Sequence, residues 1–511
     1  MASLWSPLCD RLGINYPIFG FAHDVSTVAA ITNAGGFGVY GATRRFPHEI
    51  TEELAAIRKL VGNKPFGVDL VLPPGMPEHN SREAIEAEIP DAHKAFVQGL
   101  IEKFAVPQAT EPGMRTRFIR SKEIEDAQLR AVLDSDVDMF ACGIGAPPDA
   151  VAEAKAGGKT TLALIGSPHH VERSIRAGVD FLVAQGYDAG AHTGPIGTYS
   201  LVPQIVDAAG DIPVLVAGGV ATGRHIAAAL AMGAQGVWLG TAWLLSSEHQ
   251  GHMHPVNTRK LIEAGSADTV ITRSESGKTF RQIRTGWSQA WEAEDAPAPL
   301  KMPYQDVLVG DLLGAIEEHD IEPLIHSGAG QSVAYFNEVK PVAAIMRELV
   351  NEACTTLQSQ TLSGQWLVDF GDSDLVPDLR NRPQGRPSRR VQGSVNREAL
   401  RVADGSALAF IAHDFQVLRA DKLTIEQNRD SMGLDYQPGV YRDVSWGERQ
   451  RGLWEVHAGW EEQQLVIISK ARNMRVEERL QLVSPDLLEV RVNIDADGEQ
   501  LEFLRVFNRQ P

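Results

Sequence analysis

Eight short apolar runs alternate with helix-forming stretches through the first half of this chain. The runs are Pro17–Phe21, Phe37–Tyr40, Phe66–Leu70, Asp138–Ala141, Thr160–Ile165, Phe181–Gln185, Pro213–Val216 and Gly236–Leu239. Between most of them lie amphipathic or alanine-rich stretches: Val25–Asn33, Pro47–Leu60, Pro168–Ala177, Ser200–Ala208 and Gly223–Met232. Strands separated by crossover helices pair in parallel, and a parallel sheet must be covered by those helices. Eight repeats predict a closed (β/α)8 barrel, whose ligand site lies at the C-terminal ends of its strands.

Runs six, seven and eight each lead into a glycine-rich turn. The turns are QGYDAGAHTG (Gln185–Gly194), PVLVAGGVATG (Pro213–Gly223) and AMGAQGVWLGTAW (Ala231–Trp243). Glycines free backbone amides to approach a bound group, and amides gathered at strand ends and helix N-termini attract anions. Barrels of this kind often bind phosphate in the loops after strands seven and eight. The pairing of AGGVATG with GVWLGT at this spacing therefore predicts a phosphate cradle. The first turn adds His192, a side chain whose ordinary pKa suits it to accept a proton near neutrality.

At 511 residues the chain exceeds one ordinary domain. Its net charge of −18 argues against a nucleic-acid partner. Cys9, Cys142 and Cys354 lie far apart, so neither a disulfide framework nor a zinc-ligand spacing follows. The N-terminus lacks the basic start and apolar core of a secretory signal, and no stretch is long and apolar enough to span a bilayer. A reducing cytoplasm is the expected compartment.

Residues 74–130 break the rhythm and read as a helical insertion on the site face, either a lid or an excursion that only packs on the barrel. Residues 251–350 are expected as a helical cap within a barrel domain of residues 1–350. Residues 351–364, with the small polar TTLQSQTLSG, read as a linker. From 365 to 511 the pattern changes to period-two alternation: ALAFIAHDFQVLR, KLTIEQ, GLWEVHAGW, QQLVIISKA, RVEERLQLV, LLEVRVNID and EFLRVFNR. That pattern predicts a small antiparallel β-barrel, with the basic, proline-rich segment Pro377–Arg390 as a surface loop.

Residues 1 to about 350 resemble the nitronate monooxygenase family, once called 2-nitropropane dioxygenases. YPIF (Tyr16–Phe19), ITNAGGFGVYG (Ile31–Gly41), PFGVDL (Pro65–Leu70) and the three turns carry the resemblance. It implies FMN at the C-terminal ends of the strands, with its phosphate on the amides around Ala217, Gly218, Gly219, Gly240 and Thr241. The ring would lie over the first strand, Phe19, Gly20, Phe21 and Ala22, and reach Asp69, Gln185 and Gly190. His192 matches the family's base, which takes the α-proton of a nitroalkane or sits beside a nitronate. The products would be a carbonyl compound and nitrite, with oxygen as acceptor. Two departures stand out. Many members have asparagine where this chain has Asp69, and many have a histidine in the loop after strand four, here FACGIGAPP (Phe140–Pro148). The C-terminal part resembles a lipocalin-like barrel of the bacterial type, GQWLVDFGDSD (Gly364–Asp374) matching its opening strand, with Trp366 closing one end.

Other residues admit blander roles. Asp188 orients His192, contacts a flavin hydroxyl, or satisfies its own turn. His249, His252 and His254 in SEHQGHMHP read as a solvated loop rather than a metal site. Trp238 reads as core, and Cys142 has no visible base. Two rival functions remain: an FMN-dependent NAD(P)H:quinone or enoyl reductase, and a non-catalytic flavin- or phosphate-binding protein.

Overall fold

The computed structural model describes residues 4–73, 76, 81–143, 145–358, 362–374, 411, 414–427, 431–461, 464–484, 486–496 and 498–510. Leu4–Ala353 form one compact unit, and Cys354–Pro511 make up nearly all of a second.

The first unit is a closed parallel barrel. Its strands are β1 (Ile18–Ala22), β2 (Phe37–Gly41), β3 (Gly67–Leu70), β4 (Met139–Cys142), β5 (Thr160–Ile165) and β6 (Phe181–Gln185). The two-residue β7 (Ala191–His192) lies outside the barrel, and β8 (Val214–Ala217) and β9 (Gly236–Leu239) complete it, β9 pairing back onto β1. Each strand lies within a residue of its expected position, because each apolar run is long enough to cross the wall once. Alternate residues point inward. Phe19, Phe37, Val39, Met139, Ala141, Leu162, Phe181, Val183, Leu215, Ala217 and Trp238 fill the interior. Full burial of a phenylalanine contributes about 1.5–3 kcal/mol, and Phe19, Phe37 and Phe181 are all fully buried. The expected helix at Pro168–Ala177 divides into a 3-10 turn, Pro168–His170, and a helix, Val171–Ala177.

The insertion is shorter than its expected 74–130. Lys122–Leu133 is the barrel's own crossover helix. Within the described insertion, helices Arg82–Glu88 and Asp91–Lys103 pack through Ile85, Ile89, Val97 and Leu100 against the Tyr304–Glu318 helix. Residues 251–350 are not wholly helical. β10 (Thr269–Thr272) and β11 (Phe280–Ile283) form an antiparallel hairpin, and β11 pairs with β7 through Phe280 opposite His192. The expected linker is corrected too: a helix runs Val342–Gln358, through the first part of TTLQSQTLSG.

The second unit is a nearly closed antiparallel β-barrel of ten strands. They are β12 (Gly364–Val368), β13 (Lys422–Gln427), β14 (Ser431–Gln437), β15 (Tyr441–Ser445), β16 (Gly447–Arg451), β17 (Trp454–Glu461), β18 (Gln464–Ala471), β19 (Met474–Ser484), β20 (Leu487–Ala496) and β21 (Glu499–Arg509). First and last strands pair, β12 with β21, while the edges β15 and β16 are separated by Trp446 alone. The run ALAFIAHDFQVLR is not a strand where it is described: Gln416–Leu418 is a 3-10 turn that buries Val417 and Leu418. Trp366, Phe415, Leu423, Tyr436, Val456, Ile467, Val490 and Phe507 fill the interior. Trp366 is fully buried, its indole Nε1 donating to the Leu362 carbonyl at 3.0 Å and the Arg509 guanidinium lying 4.2 Å from its ring centre. The expected surface loop Pro377–Arg390 lies outside the described residues.

Candidate active site

At the C-terminal ends of the barrel strands, four turns meet. Gly218 and Gly219 follow β8 with φ of +92° and +79°, a region L-residues rarely adopt. A Cβ on Gly218 would stand 2.9 Å from the Ala189 amide, so the second turn is pressed against the first. Gly190 is pressed in the same way against Ala329 and Gly330. Gly240, after β9, faces open space: a Cβ there would meet no atom within 4 Å. Thr241 opens the Thr241–Leu244 helix, and its hydroxyl oxygen accepts from the Gly330 amide at 2.9 Å, which leaves its own proton for another acceptor. Among the described residues no protein group accepts from the amides of Gly219 and Thr241. Donors in search of an anion thus face a space that glycine keeps clear, the arrangement a phosphate ester requires.

One expected contributor drops out. The N-terminus of the Gly223–Ala231 helix is already served by the protein. The Glu352 carboxylate accepts from the Gly223 amide at 2.8 Å, and Thr222 caps the same turn. Of the turn residues expected to meet a phosphate, Gly218, Gly219, Gly240 and Thr241 stay available, without that helix.

The top inward layer of the barrel forms the floor beside this cradle. Phe21 stacks on Trp238 with ring centres 5.9 Å apart, and Gln185 donates from Nε2 to the His192 carbonyl at 2.7 Å. Asp69 projects into the same layer. Phe19 lies one layer lower, in the barrel core, and Ala217 is buried there too. Gly20 faces the opposite way, toward Ile31 and Trp243, and Ala22 is buried on that outward parity. Phe21, Asp69 and Gln185 thus lie on the inward face at the C-terminal ends of their strands, while Phe19, Gly20 and Ala22 support the wall.

His192 sits half-buried on β7, held edge-on to Phe280 with ring centres 5.5 Å apart. Its Nδ1 donates to the Thr279 carbonyl at 3.0 Å, which fixes the tautomer and leaves Nε2 with a lone pair. Burial holds its pKa below the ordinary histidine value. Arg115 and Lys278 push the same way, against the Thr279 carbonyl and Glu275. The imidazole is neutral at pH 7 and able to take a proton. Asp188 does not orient it: one carboxylate oxygen accepts from the Thr198 amide at 3.1 Å, the turn-satisfying role.

Several neighbours were not legible as site residues. The insertion delivers Arg115, which pairs with Glu275 of the β10–β11 turn and with Asp306 at 3.1 Å. Arg44 reaches the same Asp306 at 2.9 Å, and His326 meets Glu275 at 3.0 Å. Desolvation pushes the Glu275 carboxyl up, but Arg115 and His326 outweigh it and hold it at about 2. Lys278, beside Thr279, is half-buried and makes no ion pair among the described residues. The arginines of MRTRFIR were the available signal, an unusually basic stretch in an acidic chain. His23 follows β1 as an exposed residue, its Nδ1 donating to the Gly41 carbonyl at 3.0 Å.

The histidine-rich loop is more ordered than a solvated loop. His249 meets the buried Asp24 at 2.7 Å, and His254 meets Asp320 at 2.9 Å. No metal-binding group of three ligands occurs among the described residues. The Cys142 thiol is fully buried and pushed well above its usual range by desolvation, so it is inert. No helix among the described residues is long and apolar enough to cross a membrane.

The sequence profile of the nitronate monooxygenase family matches residues 6–352. A protein of Mycobacterium tuberculosis described as a monooxygenase is 38% identical over 369 residues, covering 68% of this chain and 96% of its own length. A Staphylococcus aureus protein described as a nitronate monooxygenase is 29% identical, covering 69% and 98%. Among solved structures, nitroalkane oxidase from Streptomyces ansochromogenes superposes with a TM-score of 0.58 at 27% identity, covering 69% of this chain and 99% of that one. FabK from Thermotoga maritima gives 0.55 at 27% identity, covering 69% and 97%.

Proposed function

Because this chain belongs to the nitronate monooxygenase family, we propose that it oxidises alkyl nitronates and nitroalkanes with oxygen to carbonyl compounds and nitrite, using bound FMN and His192 as base. FMN supplies the electron transfer between substrate and oxygen; the protein supplies position, charge and a proton acceptor. Gly218, Gly219, Gly240 and Thr241 would hold its phosphate, and Phe21, Asp69 and Gln185 would meet its ring.

His192 takes the α-proton of a neutral nitroalkane on Nε2, and the negative charge left behind spreads onto the nitro oxygens. Arg115 and Lys278, the two cations that act on His192, favour an anion at that place. A nitronate arrives already deprotonated and needs only to be held. The second unit takes no part in the reaction in this reading. Its lipocalin-like barrel is filled by its own side chains, which favours a structural role over ligand storage.

The observation that carries the proposal is the His192 tautomer: Nδ1 tied to a backbone carbonyl, Nε2 free, on a turn adjoining donors that lack an anion. The experiment is oxygen uptake by the flavin-loaded protein with propyl-2-nitronate, with nitrite and acetone measured as products. Uptake with matching nitrite supports the reading. Absence of nitrite, together with rapid anaerobic bleaching by NADPH, would replace it with a reductase.

A further inference from the structure

Among the described residues, the carboxyl of Asp69 is the one ionisable group on the inward face at the C-terminal ends of the barrel strands, a face that also holds Phe21, Gly41, Gly143, Leu164, Gln185 and Trp238. The residue is 5% exposed. Its Oδ1 is sealed from solvent without a hydrogen-bond partner. A buried carboxyl left unsatisfied is costly unless a ligand completes it. Glycine lets the neighbouring strands pack closely around this carboxyl: a Cβ on Gly143 would stand 3.0 Å from Asp69 Oδ2, and one on Gly41, the residue paired with Asp69 on β2, would strike Phe21 and His23.

The titratable and charged groups on the surrounding elements do not neutralise it. Arg44 pairs with Asp306, Arg45 with Glu53, and Arg120 with Glu125. His23 donates to Gly41, and Cys142 on β4 is a buried neutral thiol. Desolvation alone acts on the Asp69 carboxyl and lifts it to about 7. An asparagine of the same shape would supply hydrogen bonds there without a charge, so what aspartate adds is an exchangeable proton.

Resting on the FMN reading above, we propose that Asp69 contacts the flavin ring and couples its redox state to proton uptake. The reduced ring carries more negative charge than the oxidised ring, and an ionised carboxylate beside it is repelled. When two electrons reach the ring from substrate or from an added reductant, the Asp69 carboxylate therefore binds one proton from solvent. Reoxidation by oxygen releases it. The proton lies on Asp69 only while the ring is reduced, in the pH range above its resting ionisation.

The test is the midpoint potential of the FMN-loaded protein as a function of pH, in wild type and Asp69→Asn. Above neutrality the wild-type potential falls with pH more steeply than the variant's. The difference is tenfold in the redox equilibrium per pH unit, about 30 mV for a two-electron couple. Parallel profiles would overturn the role of Asp69 while leaving the flavin reading intact. A protein that takes up no flavin would overturn both. Should the variant fail to fold, the reduced-minus-oxidised infrared spectrum of wild type above neutral pH decides. Appearance of a protonated carboxyl band with loss of a carboxylate band supports the proposal, and a spectrum without that pair overturns it.

Discussion

Replacing His192 with asparagine separates proton abstraction from everything else the site does. An asparagine amide retains a donor for the Thr279 carbonyl, and the β7–β11 pairing is made by backbone, so the loop keeps its place. What disappears is the Nε2 lone pair. A positioned general base contributes roughly 10²–10⁴-fold, or about 3–5 kcal/mol of barrier at 1.36 kcal/mol per decade. On a neutral nitroalkane, kcat/KM of His192→Asn should fall by that factor. On the preformed nitronate, whose proton is already gone, it should change only a few-fold. The wild-type pH profile adds a check on sign. Burial holds the His192 pKa below its ordinary 6.5, so activity on the neutral substrate is full at pH 7 and falls only on acidification below 6.5. Steady-state oxygen uptake on the two substrates measures both effects. Unchanged turnover of the neutral nitroalkane, or equal losses on both substrates, would refute the assignment of the base.

Gly240→Ala should leave the melting temperature of the flavin-free protein unchanged or slightly raised, since its Cβ meets nothing within 4 Å at a φ of −117°. It should weaken FMN binding at least about tenfold by filling the phosphate's place. Gly218→Ala should instead destabilise the fold by about 1–2 kcal/mol or more, because φ is +92° and its Cβ stands 2.9 Å from a backbone nitrogen; thermal melts separate the two. Asp69→Asn should stabilise the flavin-free protein at high pH. The carboxyl is raised from 3.8 to about 7, so the native state holds a proton that the unfolded state has released, and wild type loses stability as pH climbs between those values. That loss is on the order of 4 kcal/mol above pH 7 at 1.36 kcal/mol per unit, and the advantage of the variant should vanish in melts near pH 4. Glu352→Ala should cost about 0.5–1 kcal/mol of stability through the lost cap on Gly223 and leave FMN affinity unaltered; a large affinity change would return that helix N-terminus to the cofactor site.

The barrel was legible because its evidence is local. Thr160–Ile165, Phe181–Gln185 and Gly236–Leu239 begin and end where their apolar runs do. The same holds for KLTIEQ in the second unit. What failed depends on partners distant in sequence. β7 is two residues long and exists only because β11 lies beside it, 87 residues later along the Thr279 contact. The strand β15 hid its alternation behind Arg442, an inward arginine buried by pairing with Glu478. ALAFIAHDFQVLR alternates like a strand, yet Phe415, Val417 and Leu418 are buried from a tight turn. In the site, the glycine turns and His192 were readable from their own neighbours. Arg115 was not, because the long insertion brings it to the site. Nor was the occupation of the Gly223 amide, since Glu352 lies 129 residues away.

Equilibrium binding of FMN and of riboflavin to the flavin-stripped protein tests the central claim most directly, because the two ligands differ only in the phosphate. One FMN per chain, with riboflavin at least about tenfold weaker, is the predicted result; charge-assisted contacts of this kind are worth roughly 1.5–3 kcal/mol each. Equal affinity for the two flavins would contradict a cradle built on Gly218, Gly219, Gly240 and Thr241. Failure to bind either would remove the cofactor altogether.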